Sequence, residues 1–235
     1  MTTILLTGAS RGIGAAARTA LEARGCRVIG QATRPGSGLL PADFSEPQSP
    51  QILWEAALEE AGGAIDALVN NAGLFSANPL DGSDIAWLDG WEDTLRINLT
   101  SAAQLSRFAV RHWQAAGRGG RIVHVASRAG HRGDSPAHWH YAAAKGGMLA
   151  LHKTIARQYA AEGILSYAIA PGFTDTDMAG DYLSSRGGPD LLRDIPLGRV
   201  ATPEEIATMI AFCALDAPPS MTGATLDANG ASYVR

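Results

Sequence analysis

The chain predicts an α/β fold: a doubly wound parallel sheet of about seven strands with helices on both faces. Three observations predict it. Short apolar or β-branched runs alternate with helical patterns along the whole sequence. These runs are largely apolar, as strands buried on both faces of a parallel sheet are. The polar motifs that carry chemistry follow the carboxyl ends of strands, where sheets of this kind bind ligands.

The elements follow in order. Ile4-Leu5-Leu6-Thr7, in a strand over 2–7, stops at Gly8, and alanines with Leu21 make 13–24 a helix ending at Gly25. Residues 26–32 read as a second strand and 39–43 as a short third. Arg34-Pro35-Gly36-Ser37-Gly38 between them is shorter than the roughly a dozen residues a crossover helix needs. An extended bridge therefore replaces one helix and leaves that edge more open. A helix over 47–60 leads to a strand over 64–70 that opens onto Asn71-Ala72-Gly73. Residues 91–116 read as one helix with a glycine-rich stop, and 121–127 as a strand. A helix over 141–162, a strand over 164–170 ended by Pro171-Gly172, a helix over 203–215 and a strand over 224–227 complete the pattern. No linker or repeat divides residues 1–235, so one domain is expected.

Composition excludes several classes. With 46% hydrophobic and 18% charged residues the chain can bury a core, which argues against disorder. A net charge of −4 leaves no basic footprint for nucleic acid. Cys26 and Cys213 share no metal spacing and read as reduced thiols. The sequence carries neither a leader pattern nor an apolar run near the roughly 18 residues of a membrane span. A soluble cytoplasmic protein is expected.

Two motifs carry chemistry directly. Thr7-Gly8-Ala9-Ser10-Arg11-Gly12-Ile13-Gly14 joins the first strand to the first helix. Glycines there let the backbone turn tightly and approach a pyrophosphate, whose charge the helix N-terminus favours. Tyr141 and Lys145 stand four apart across three alanines, on one face of a helix. An ammonium beside a phenol lowers the phenol's pKa and readies it for proton transfer.

These motifs, with Asn70-Asn71-Ala72-Gly73, Asn98, Ser127 and Pro171-Gly172, stand in the order found in short-chain dehydrogenases/reductases, which the chain resembles from Thr3 to about Gly230. The wording is similar to the 3-oxoacyl-acyl-carrier-protein reductase group. Thr174 to Met178 and Ile195-Pro196-Leu197-Gly198 also resemble dihydrodiol dehydrogenases. The resemblance implies a Rossmann-type fold and an oxidoreductase that interconverts a ketone and a secondary alcohol by hydride transfer. It implies Tyr141 as acid or base and Lys145 as the group that lowers its pKa and bonds the nicotinamide ribose. Ser127 would hold the substrate oxygen, and Asn98 would bend its helix and serve a proton relay. Asp43, with Phe44, would meet the adenine; Asn71, Ala72 and Gly73 would lie beside the adenosine ribose. Pro171, Gly172, Thr174 and Thr176 would hold the nicotinamide. The C-terminal Asp227-Ala228-Asn229-Gly230 departs from the more usual Asp-Gly-Gly.

An acidic residue at the end of strand two would select NAD(H) by bonding the ribose 2′-hydroxyl. Ala32 stands there instead, followed by Thr33 and Arg34, with Arg11 in the glycine loop. Guanidiniums suit a 2′-phosphate, so NADP(H) is expected. Arg128, Trp139, His140, Phe173 and Tyr182 are candidates for the substrate mouth, with 74–90 as a rim and about 178–197 as a lid hinged at Gly187 and Gly188. His131, His138 and His140 lack the further ligands a zinc site needs, so no metal is expected. A homotetramer or homodimer through 91–116 and 141–162 is implied by the resemblance. The rivals are an NAD-dependent alcohol or dihydrodiol dehydrogenase and a non-catalytic dinucleotide sensor.

Overall fold

A computed structural model describes residues 1–36, 38–176 and 192–235. Seven strands form one all-parallel sheet in the order β3-β2-β1-β4-β5-β6-β7. They are β1 (Thr3–Leu6), β2 (Arg27–Ala32), β3 (Leu40–Pro41), β4 (Ala67–Asn70), β5 (Gly120–Val125), β6 (Ile164–Pro171) and β7 (Thr225–Ala228). The order reverses between β1 and β4, and that switch point places a crevice beyond their carboxyl ends. The expected Rossmann-type sheet is the observed one.

Alternation along each strand sends side chains to two cores. Ile4 and Leu6 pack with Ala17 and Leu21 of α1 (Gly12–Ala23) and Ile206 and Ile210 of α7 (Pro203–Ala211). Leu5 between them packs the other way. It joins Leu53 and Trp54 of α2 (Ser49–Glu60), Leu105 and Trp113 of α4 (Ser101–Ala115) and Ile155 of α6 (Trp139–Tyr159). Helix ends follow local chemistry. At the end of α1 the Gly25 and Cys26 amides bond back to Glu22 and Leu21, with Gly25 at φ 76°. Thr202 and Glu205 form a reciprocal capping box on α7.

The missing helix between β2 and β3 is replaced as expected, but the third strand shrinks to two residues. Pro41 has no amide hydrogen to extend the ladder. Leu39 of the bridge lies over the sheet so closely that a Cβ on Gly30 would come within 2.5 Å of its Cδ2. One leucine thus covers the place of a helix.

Two helical expectations need correction. The single helix over 91–116 is three pieces: α3 (Asp84–Leu95), a π turn (Arg96–Thr100) and α4. The first piece takes in the later half of the expected rim, because the Ser83 hydroxyl accepts the Ala86 amide and Asp84 sits in the first turn. The π turn is the bend expected around Asn98. Helix α6 starts at Trp139 rather than 141, and a short α5 (Ala129–Arg132) precedes it. No described helix is long and apolar enough to cross a membrane. Most of the expected lid lies outside the described residues; only 192–197 are within them.

Candidate active site

The crevice at the switch point is a cavity of about 1070 Å³. At its inner end, β1 passes into the glycine loop and α1. A Cβ on Gly14 would stand 1.9 Å from the Gly8 carbonyl oxygen, so only a residue without one lets the loop close there. Gly8, at φ 67°, carries the chain through a region other residues avoid. Gly12, Ile13 and Gly14 line the cavity with the first turn of α1, whose amides have no helical partner and favour an anion.

Two side chains hold this loop. Asn71 Nδ2 donates to the carbonyls of Thr7 and Gly8 at 3.0 and 3.1 Å, and the Thr7 hydroxyl accepts from the Asn71 and Ala72 amides. Gln31, at the end of β2, accepts from the Gly8 amide (2.8 Å) and donates to the Ala42 carbonyl (2.7 Å). Asn71 therefore braces the loop with its side chain. Gln31 was not singled out by the sequence, where a glutamine in a strand has no distinguishing signal.

At the end where adenosine is expected, Ser10, Arg11, Thr33, Arg34, Asp43 and Phe44 all line the cavity. Arg11 and Arg34 are exposed, and the preceding Ala32 carries no acid. Asp43 Oδ1 accepts from the Ser45 amide and hydroxyl, which lowers the carboxyl's pKa.

At the other end, Ser127 follows β5, and Tyr141 and Lys145 project from α6. The two elements approach closely because Gly130 has no side chain: a Cβ there would come within 2.8 Å of the Lys145 carbonyl. The Ser127 hydroxyl accepts from the Ala129 amide at 3.1 Å and shares the cavity lining with Tyr141. Lys145 Nζ donates to the Val125 carbonyl at 2.8 Å and lies 5.7 Å from the centroid of the Tyr141 ring.

The electrostatics differ from expectation. Burial pushes the Tyr141 phenol up to about 12, with Ser127 pulling back and Asp134 adding to the rise. Burial also draws the Lys145 ammonium down to about 8. The expected lowering of Tyr141 by Lys145 does not appear; desolvation opposes charge on both groups. The phenol is held in its proton-donating form.

Asn98, fully buried at the π turn, accepts from the Leu74 amide at 2.6 Å and donates to the Leu74 carbonyl at 2.8 Å. It stands behind the cavity wall, and a Cβ on Gly73 would lie 3.4 Å from its Oδ1 and 3.7 Å from Lys145 Nζ. On the β6 side, Gly172 packs on Asn229, and Pro171, Phe173, Thr174 and Thr176 line the cavity. Thr176 closes over the glycine loop, its Cγ2 3.0 Å from a Cβ built on Gly12.

The substrate-side expectations divide. Arg128 and Phe173 line the cavity, the guanidinium 4.8 Å above the ring. Trp139 instead points outward, 53% exposed, into a separate depression with Leu80, Trp87 and Leu88. His140 is buried, its Nδ1 accepting the Tyr141 amide at 2.8 Å, and does not line the cavity. Helical geometry explains both, because neighbours of an inward Tyr141 turn away by about 100° per residue. Tyr182 lies outside the described residues. Phe75, Asp134 and Ser135 also line the cavity, with no sequence pattern that marks them. No group of three or more His, Cys, Asp or Glu able to hold a metal ion occurs among the described residues.

A parallel sheet with a glycine cradle at its switch point, facing a Ser-Tyr-Lys cluster across one cavity, has the form of a nicotinamide-dinucleotide oxidoreductase. A family model described as enoyl-(acyl carrier protein) reductase matches residues 8–230. The chain belongs to the short-chain dehydrogenase/reductase family. Among its relatives, the 3-oxoacyl-acyl-carrier-protein reductase of Vibrio cholerae is 37% identical over 242 residues, covering 98% of this chain and 96% of that one. The enzymes of the same name from Salmonella typhimurium and Escherichia coli are 38% and 37% identical, with the same coverage.

Proposed function

We propose that the protein is an NADP(H)-dependent reductase converting a ketone to a secondary alcohol, with 3-oxoacyl thioesters as the favoured substrate class. The observation that carries this reading is the convergence of Ser127, Tyr141 and Lys145 at one end of the cavity whose other end is the glycine cradle. NADPH would supply the hydride. The protein's own task is then to orient a carbonyl and deliver one proton. Ser127 and Tyr141 hydrogen-bond the carbonyl oxygen, stabilising the negative charge that develops there. Tyr141, protonated across the neutral range because burial holds it near 12, gives its proton to that oxygen. Lys145 stabilises the phenolate left behind and holds the ribose, and Asn98 sets the wall behind it.

The preference for NADP(H) rests on Arg11 and Arg34 beside an acid-free Ala32. The 3-oxoacyl preference rests on the names of the relatives. The whole chain would act as one domain in the cytoplasm, assembled as a homodimer or homotetramer through α4 and α6.

The test is a panel of 3-oxoacyl, enoyl and cyclic carbonyl substrates run with NADPH and NADH. Enoyl thioesters belong in it because of the description carried by the matching family model. Turnover of 3-oxoacyl thioesters with NADPH, lost in Tyr141→Phe, is the expected result. Turnover with NADH alone would favour the alcohol or dihydrodiol dehydrogenase. Tight dinucleotide binding with no turnover of any carbonyl would favour the sensor.

A further inference from the structure

We propose that Phe75 is a positioning residue for Tyr141, clamped between that ring and His138 so that the phenol is held in one orientation. The inference rests on the reading of Tyr141 as proton donor. Phe75 reaches this place through its neighbour. Both backbone groups of Leu74 are bonded by the single side chain of Asn98, and a two-point clamp fixes the direction in which the next residue leaves. Four residues after Leu74, the Asn78 amide donates to the Ala137 carbonyl at 2.8 Å. The segment is thereby stapled to the turn ahead of α6, with Phe75 between the two staples.

The ring contacts are specific. Phe75 meets Tyr141 edge to face, centroids 4.8 Å apart and planes at 78°. It also makes a parallel stack on His138, at 4.1 Å and 8°. His138 is only 3% exposed, and its Nδ1 lies 2.7 Å from the Ser135 hydroxyl. The stack is thus backed by a hydrogen bond rather than by loose packing. Edge-to-face contact depends on the orientation of both rings, so a fixed Phe75 restricts the Tyr141 plane and with it the hydroxyl position. A plain core role does not describe Phe75, which is only half-buried and lines the same cavity as Ser127.

The deciding experiment reads Tyr141 directly. Protein labelled with 3-fluorotyrosine gives a fluorine resonance for Tyr141, identified by its loss in Tyr141→Phe. In Phe75→Leu, which keeps apolar bulk and removes the ring, that resonance is expected to narrow and shift toward that of free fluorotyrosine. His138→Ala should do the same from the far side of the stack, whereas Phe75→Tyr and His138→Phe should leave it in place. An unchanged resonance in both Phe75→Leu and His138→Ala overturns the proposal. Turnover supplies a second arm: kcat in Phe75→Leu should fall about tenfold or more, as misplacement of a reacting group does, with KM for NADPH unchanged. If the unsubstituted protein reduces no carbonyl, the functional reading fails, while the fluorine resonance still decides whether Phe75 orients Tyr141.

Discussion

Gln31→Leu isolates what braces the cofactor loop. Gln31 is 2% exposed. Its side chain joins two segments remote in sequence: it accepts from the Gly8 amide after β1 and donates to the Ala42 carbonyl after β3. Leucine has similar bulk, so the change leaves no large cavity; what it leaves is one donor and one acceptor without partners. Each such group, when buried, costs about 1–3 kcal/mol. Gly8 is only half-buried, so the lower part of that range applies to its amide, and the total is about 2–4 kcal/mol. For a chain of this length that corresponds to a fall in Tm of roughly 5–15 °C. Urea unfolding should show the loss as a lower midpoint at constant slope, and NADPH affinity should fall with it because the loop is no longer tied to β2. Gln31→Glu keeps the acceptor for Gly8 but faces Ala42 with a second acceptor, so it should also destabilise. A change below about 1 kcal/mol in Gln31→Leu would refute the reasoning, since water would then be satisfying both groups.

Other consequences follow from the same site. Arg34→Ala and Arg11→Ala should each weaken NADPH binding about tenfold, the share of one charge-assisted hydrogen bond, and leave NADH binding unchanged in fluorescence titrations. With Lys145 drawn to about 8 and Tyr141 held near 12, kcat for reduction should decline as pH rises through about 8, as the ammonium loses its charge. A profile that stays flat beyond this range would count against that role. Burial holds His124 down to about 3 and His152 to about 4, both below the unfolded value of about 6.5. The unfolded chain therefore binds protons first as pH falls. Stability should be full above about 6.5 and decline below it, by about 1.4 kcal/mol per pH unit for each histidine. In His124→Phe, denaturant unfolding between about pH 6 and 4.5 should show a shallower decline; an identical slope would contradict the assignment.

The sheet was legible because its signals are local. Apolar runs, glycine stops and the short connector after β2 each mark an element within a few residues, and their order implies a parallel sheet. The residues expected at the cofactor share one cavity for a related reason, since they stand at strand ends and those ends are readable. Helix boundaries are less legible: the Ser83-Asp84 start reads as rim in the sequence, because a cap and an acid in a stretch of mixed polarity resemble a loop. Trp139 and His140 were drawn toward the substrate by nearness in sequence to Tyr141, whereas rotation along α6 carries them away from the cavity.

By itself, then, the sequence determined the sheet, the glycine loop after β1 and the pairing of Tyr141 with Lys145, all of which depend on local spacing. Tertiary structure alone decided the rest. Gln31 and Phe75 carry no pattern of their own; they matter because they meet Gly8, Ala42, Tyr141 and His138 across the fold. The protonation of Tyr141 was decided there too. Spacing brings a cation near the phenol, but only packing determines how much water both lose, and desolvation is the largest cause of the shift on each.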